Sequence, residues 1–213
     1  MLGALIDIAL HLDQHLLELV RNYGVWVHGI LFVIIFSETG FVVTPFLPGD
    51  SLLFVAGTLC AAGHLDIAVL LAVLTAAAIL GNQVNFLIGR ALGLRIAGRG
   101  WLRREYVLRT EAFFARHGGK TIVLSRFVPI VRTYAPFVAG LSRMPPLTFA
   151  WFNCVGGALW VGSLVLSGYF LGNLPLVRDN LTLVLLAIVV ASVLPAIFEA
   201  WRGGRPKPGG ADD

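Results

Sequence analysis

Charge is scarce in this sequence, and unevenly so. Only 13% of the 213 residues are charged, against about a quarter in an ordinary soluble domain, and no lysine or arginine occurs between Asn22 and Gly89. A water-soluble globule is excluded. Cysteine is nearly absent too: Cys60 and Cys154 stand far apart without a spacing pattern, which excludes a disulfide-stapled secreted module and a CxxC metal or redox site. There is no Gly-rich phosphate loop and no serine elbow. Met1 to Arg21 has no basic start and no small-residue cleavage site, and it carries Asp7, His11, Asp13, Gln14, His15 and Glu18, so no cleaved secretory signal is read there.

What remains is apolar. The chain is 57% hydrophobic with a mean hydropathy of +0.83, which predicts a single all-α integral membrane domain over residues 1–213. A span needs about 20 apolar residues to cross roughly 30 Å of hydrocarbon. Segments 67–92, 146–174 and 181–201 qualify, and 23–43 qualifies with one acidic residue in its later part. Residues 1–21 place polar side chains on one helical face and Leu5, Ala9, Leu12, Leu16 and Leu19 on the other, as an interfacial helix does. Residues 202–213 read as a disordered tail.

Two further apolar stretches, 44–63 and 121–142, are interrupted by Pro45, Pro48 and Gly49 in the first and by Pro129 and Pro136 in the second. Proline removes a backbone donor and clashes with the preceding turn, so each stretch is expected to split into short helices. Broken backbone at membrane depth is tolerated only where it packs in protein or lines a cavity. Two re-entrant hairpins follow. The halves also echo each other: Phe46-Leu-Pro48 and Phe54-Val-Ala-Gly57 resemble Phe127-Val-Pro129 and Phe137-Val-Ala-Gly140, with Gly89 set against Gly172. Because one span separates the hairpins, the repeat is inverted, as in secondary transporters whose substrate site lies where broken helices meet near the midplane.

Orientation follows the basic residues. Half of the sixteen lysines and arginines fall between Arg90 and Lys120, and the tail adds Arg202, Arg205 and Lys207. Both segments are expected on the cytoplasmic side, with both termini inside. The elbow at 94–120 interleaves Trp101, Tyr106, Phe113 and Phe114 with arginines. It reads as an amphipathic surface helix on anionic headgroups rather than a nucleic-acid site.

Four charges stand out because they sit in or beside the hairpins: Glu38, Asp50, Arg126 and Arg132. Each charge at the bilayer centre costs about 2.5–3.5 kcal/mol even on the milder insertion scale. Two negatives facing two positives would offset much of that. Arginine presents a permanently charged planar fork suited to phosphate, so Arg126 and Arg132 fit an anionic headgroup. A carboxylate in a low-dielectric site can exchange a proton near neutrality, so Glu38 and Asp50 fit proton coupling. Asp50 also suits the N-cap of the half-helix that starts at Ser51.

These residues resemble the DedA family of bacterial inner-membrane proteins, related to the eukaryotic SNARE-associated (VTT-domain) proteins. The matching features are the Glu38 region leading to Phe46-Leu-Pro-Gly-Asp50, then Ser125-Arg-Phe-Val-Pro-Ile-Val-Arg132, Ala139-Gly140, Met144, and Asn153 through Gly156 to Trp160. The resemblance spans roughly residues 30–175. It implies two opposed re-entrant hairpins, envelope maintenance that depends on the proton motive force, and return of undecaprenyl phosphate from the outer to the inner leaflet. It also implies that Glu38, Asp50, Arg126 and Arg132 are the acidic and basic residues needed for function.

The expectation is therefore a proton-coupled, flippase-like lipid transporter whose partners are protons and an anionic membrane lipid, with no cofactor, metal or nucleic acid and with the oligomeric state open. A proton-coupled small-cation antiporter would need the carboxylates but not the arginines. A passive phospholipid scramblase would need no gradient. An intramembrane phosphatase would need an activated nucleophile, and His117, the one histidine close to the arginines in sequence, belongs to the surface elbow. His11 and His15 share a helix face but have no third metal ligand. Asn82, Gln83, Asn85 and Asn153 are candidates for a polar path through the spans or for ties between helices.

Overall fold

Helix boundaries follow the breakers. The computed structural model describes residues 18–19, 22–41, 49–97, 118–172 and 174. Its helices are α1 Trp26–Gly40, α2 Gly49–Ala61, α3 Ile67–Ala97, α4 Lys120–Ser125, α5 Pro129–Leu141 and α6 Pro146–Leu171, and no strand occurs among the described residues. α5 and α6 each open on a proline, which suits a first turn where the missing N–H has no helical partner. Val128 is extended at φ −116° and ψ 107°, the region a following proline favours. α3 opens with Asp66 Oδ1 accepting the Val69 N–H at 2.9 Å.

Among the described residues, two helices are long and apolar enough to cross a membrane: Ile67–Leu92 within α3, and α6, each of 26 residues and so about 39 Å at 1.5 Å per residue. They run antiparallel, since Phe86 stacks on Phe149 with centroids 4.2 Å apart while Ile79 lies against Gly157. α1 occupies 15 residues, about 22 Å, which is shorter than the 23–43 span expected. Gly24, at φ +51°, turns the chain before it, and extended Phe41 ends it. The expected span 181–201, the N-terminal helix up to residue 17, most of the basic elbow, the tail, and Pro45 and Pro48 lie outside the described residues.

The core has two parts. One gathers Val27, Leu31, Ile35, Leu53, Leu70, Leu74, Val161 and Val165; the other gathers Phe86, Ile122, Ala139, Met144 and Phe149. Between them the buried residues turn polar: Asn82 and Asn85 in the middle of α3, and Asn153 two turns into α6.

Glycines set how closely the elements approach. α2 packs on α6, and α5 packs on α3, so each short helix lies on the long helix of the other half. A methyl added at Gly57 would meet the Val165 carbonyl, and one at Gly168 the Phe54 carbonyl; at Gly140 it would meet the Phe86 carbonyl, and at Gly89 the Phe137 carbonyl. The four contacts form two matching crossed pairs. They correct the register read from sequence by one helical turn, because the partner of Gly89 in the second half is Gly168; Gly172 lies instead against Thr58.

Pro136, expected to break its stretch, lies inside an unbroken α5. A proline removes one helical hydrogen bond, and tertiary contacts keep the helix continuous across the gap. Asn85 Nδ2 donates to the Thr133 carbonyl at 3.0 Å, and the Gly140 contact seats the same helix on α3.

α2 and α5 end in the same way. His64 N–H donates to the Leu59 carbonyl at 2.9 Å and Gly63 N–H to Cys60 at 3.0 Å; Met144 N–H donates to Ala139 at 3.1 Å and Arg143 N–H to Gly140 at 3.1 Å. Both are Schellman caps, which place one residue in the left-handed region. That residue is Gly63 at φ +77° in the first and Arg143 at φ +56° in the second. A Cβ in that region costs about 1–2 kcal/mol, so Arg143→Gly is expected to stabilise the protein by about 1 kcal/mol, read as a higher unfolding temperature in detergent. Arg143→Asn, which tolerates the same conformation better than arginine, should move it less in the same direction.

Candidate functional site

The break between α4 and α5 presents two arginines to the polar middle of the bundle. Arg132 lies one turn into α5 and reaches two carboxylates from different helices. Its Nη2 donates to Glu38 Oε1 at 2.5 Å and its Nη1 to Asp50 Oδ1 at 2.5 Å. Glu38 is buried in the last turn of α1, and Asp50 is in the first turn of α2. Gly49 lets these ends close up, since a methyl there would collide with the Glu38 carboxylate. Trp160, buried on α6, completes the cluster from the far side. Its Nε1 donates to Asp50 Oδ1 at 3.1 Å, and its ring lies beneath the guanidinium, with Arg132 Cζ 5.1 Å from the centroid, within the range of a cation–π contact.

Arg126, in the turn after α4, is only 3% exposed and is held differently. Its Nη2 donates to Asn153 Oδ1 at 2.5 Å and lies 3.4 Å from the carbonyls of Ala78 and Asn153. Asn153 Nδ2 in turn donates to the Ile79 carbonyl at 2.9 Å, which ties α6 to α3 beneath the arginine. Gly156 and Gly157 make room for the side chain. Arg126 Nε is buried without a hydrogen-bond partner. Asn85 Nδ2 ties α1 to α5 through the carbonyls of Thr39, at 3.4 Å, and Thr133, at 3.0 Å.

Both arginines face one small cavity, lined also by Glu38, Thr39, Asn82, Thr133 and Trp160, with room for about one water-sized sphere. The two carboxylates take one bond from each Nη of Arg132. Among the described residues, no three His, Cys, Asp or Glu side chains come together as metal ligands would.

Residues 47–170 match the VTT domain. Protein DedA of Escherichia coli is 50% identical over 206 residues, covering 94% of each chain. The chain belongs to the DedA family. Other relatives are an uncharacterized membrane protein of Mycobacterium leprae, 46% identical over 81% of this chain and 79% of its own, and the inner membrane protein YghB of Escherichia coli, 35% identical over 90% and 89%. No solved structure matches. The membrane-protein names of these DedA-family relatives agree with the two long apolar helices found here.

All four charges singled out from this DedA-family sequence converge, although they pair unevenly. Glu38 and Asp50 both go to Arg132, whereas Arg126 takes Asn153. Asn82 lines the cavity; Asn85 and Asn153 tie helices, and Asn153 also sets Arg126. Gln83 is half-buried next to Asn82. Pro129 opens α5 directly after the break. Three contributors were not singled out as site residues: Thr39, Thr133 and Trp160, the last of which closes the Asn153-to-Trp160 stretch of the resemblance. For Trp160 the available clue was an indole, which needs a partner when buried, in the polar stretch that starts at Asn153.

Proposed function

We propose that this DedA-family protein carries an anionic lipid, undecaprenyl phosphate, across the bacterial inner membrane, driven by the proton motive force. The observation that supports this reading is Arg132 clamped between two carboxylates beside a small cavity. Phosphate and carboxylate are alternative partners for the same guanidinium fork. A phosphorylated headgroup entering the cavity displaces a carboxylate from Arg132, and the displaced carboxylate takes a proton rather than stand unpaired in a low-dielectric site. Arg126, fixed by Asn153, supplies the second positive charge. Phosphate binding and proton uptake are then one exchange. The isoprenoid tail stays in the bilayer, against the outward-facing apolar side chains of the long helices.

In this reading 44–63 and 121–142 are re-entrant hairpins entering from opposite faces, with full spans at 23–43, 67–92, 146–174 and 181–201 and both termini cytoplasmic. The crossed packing of α2 on α6 and α5 on α3 supports the inverted repeat. The naming of relatives as inner membrane proteins supports the location.

The test uses purified protein in liposomes containing fluorescent undecaprenyl phosphate, with an imposed pH gradient. Gradient-dependent movement of the lipid, lost with an uncoupler and in Glu38→Gln, is the expected result. Movement of several phospholipids that ignores the gradient would mark a scramblase. Proton-for-cation exchange that survives Arg126→Gln would mark an antiporter, and release of inorganic phosphate a phosphatase.

A further inference from the structure

The two carboxylates on Arg132 do not have equivalent surroundings. Asp50 Oδ1 accepts from Arg132 Nη1 at 2.5 Å and also from Trp160 Nε1 at 3.1 Å, and Asp50 stands in the first turn of α2, where the helix dipole favours a negative charge. Glu38 stands in the last turn of α1, where the dipole opposes one; its carboxylate also lies against Gly49 at the opening of α2, so that helix start faces both carboxylates, and the difference between them is Trp160, which bonds to Asp50 and not to Glu38. The charged groups facing Glu38 are Arg132 from α5 and Asp50 from α2, with Arg126, from the turn after α4, on the same cavity; α3 brings the neutral Asn82 to it and α6 the neutral Trp160.

We infer that Trp160 is a positioning residue: its indole N–H and ring face lock the Asp50–Arg132 arm, so that Glu38 alone releases Arg132 and takes the proton when a phosphate binds. This deepens the transport reading by assigning the two carboxylates different work. Asp50 with Trp160 keeps the guanidinium aimed, and Glu38 is the exchangeable arm. Trp160 suits the task because one rigid side chain reaches both partners. Its N–H ends on the carboxylate and its π face lies under the cation. Phenylalanine would keep the ring contact and lose the hydrogen bond.

Two measurements test it. The first is an infrared titration of the purified full-length protein in detergent, following the carboxylic-acid C=O band as pH falls. A band that vanishes in Glu38→Gln and persists in Asp50→Asn is expected, with a second band, removed by Asp50→Asn, emerging in Trp160→Phe. A band lost in Asp50→Asn instead, or an unchanged spectrum in Trp160→Phe, overturns the inference. Benzothienylalanine placed at Trp160 keeps the ring and volume, removes only the N–H, and must give the same second band; it decides the question if Trp160→Phe does not fold. The second measurement is gradient-driven uptake of undecaprenyl phosphate. Trp160→Phe should lower the maximal rate about tenfold, the scale of one hydrogen bond, with little change in half-saturation, and an unchanged rate overturns the inference. If the wild type moves none of this lipid, the transport reading fails, while the infrared result still decides the role of Trp160.

Discussion

Replacing Arg132 with alanine is expected to abolish transport and to destabilise the protein by about 3–5 kcal/mol, the cost of removing one partner from buried charge pairs. The reason is local. Glu38 and Asp50 each place an oxygen 2.5 Å from a different nitrogen of the same guanidinium, and with the guanidinium gone both charges face each other in a largely buried site. Lysine is a poor replacement. Its single ammonium cannot span two carboxylates delivered by α1 and α2 while lying flat on Trp160, so Arg132→Lys should recover part of the stability and little of the transport. The decisive comparison is the neutral triple variant Glu38→Gln, Asp50→Asn, Arg132→Gln. It leaves no uncompensated charge, and its amides can still hydrogen-bond one another, so this variant should unfold at a clearly higher temperature in detergent than Arg132→Ala and carry no lipid. If Arg132→Ala unfolds like the wild type and still moves lipid, the clamp is neither structural nor functional.

The charges behind that prediction were legible in the sequence because an apolar chain makes each of them expensive. Glu38, Asp50, Arg126 and Arg132 could be chosen on cost alone. Their pairing could not be, since Arg132 meets Glu38 from 94 residues away and Asp50 from 82. Which arginine takes the carboxylates depends on where α5 crosses α1 and α2. Arg126 follows another rule: Asn153 and the carbonyls of α3 and α6 satisfy it, and amides in a span announce a hydrogen bond without naming its partner. Pro129 acted as local chemistry requires, at a helix start. Pro136 did not, because the contacts of α5 with Asn85 and α3 outweigh one missing helical bond. The repeat was visible in short echoes such as Phe137-Val-Ala-Gly140, but Leu87-Ile-Gly89 and Phe170-Leu-Gly172 are too brief to fix a register. Helix packing chose Gly168, one turn earlier.

That register leads to the second large effect. Gly57 and Gly168 make one crossed contact, between α2 and α6; Gly89 and Gly140 make the other, between α3 and α5. In all four a new methyl would meet backbone rather than a movable side chain. Lipid gives no hydrophobic drive between helices, so close backbone approach at small residues is a main source of their association. Each single alanine is therefore expected to destabilise by about 1–3 kcal/mol, as overpacking does, and valine by more. The combinations are more informative. Gly57→Ala with Gly168→Ala should cost clearly less than the sum of the single changes, because helices already forced apart by one methyl accommodate the next. Gly57→Ala with Gly140→Ala, at separate contacts, should add to within about 0.5 kcal/mol. Thermal unfolding in detergent reads both. Additive losses within one contact would mean that the short helices do not pack as crossed pairs. Full coupling of both contacts would instead indicate that the two halves move as one body, and an exchange at Arg132 could not then open one face while the other stays closed.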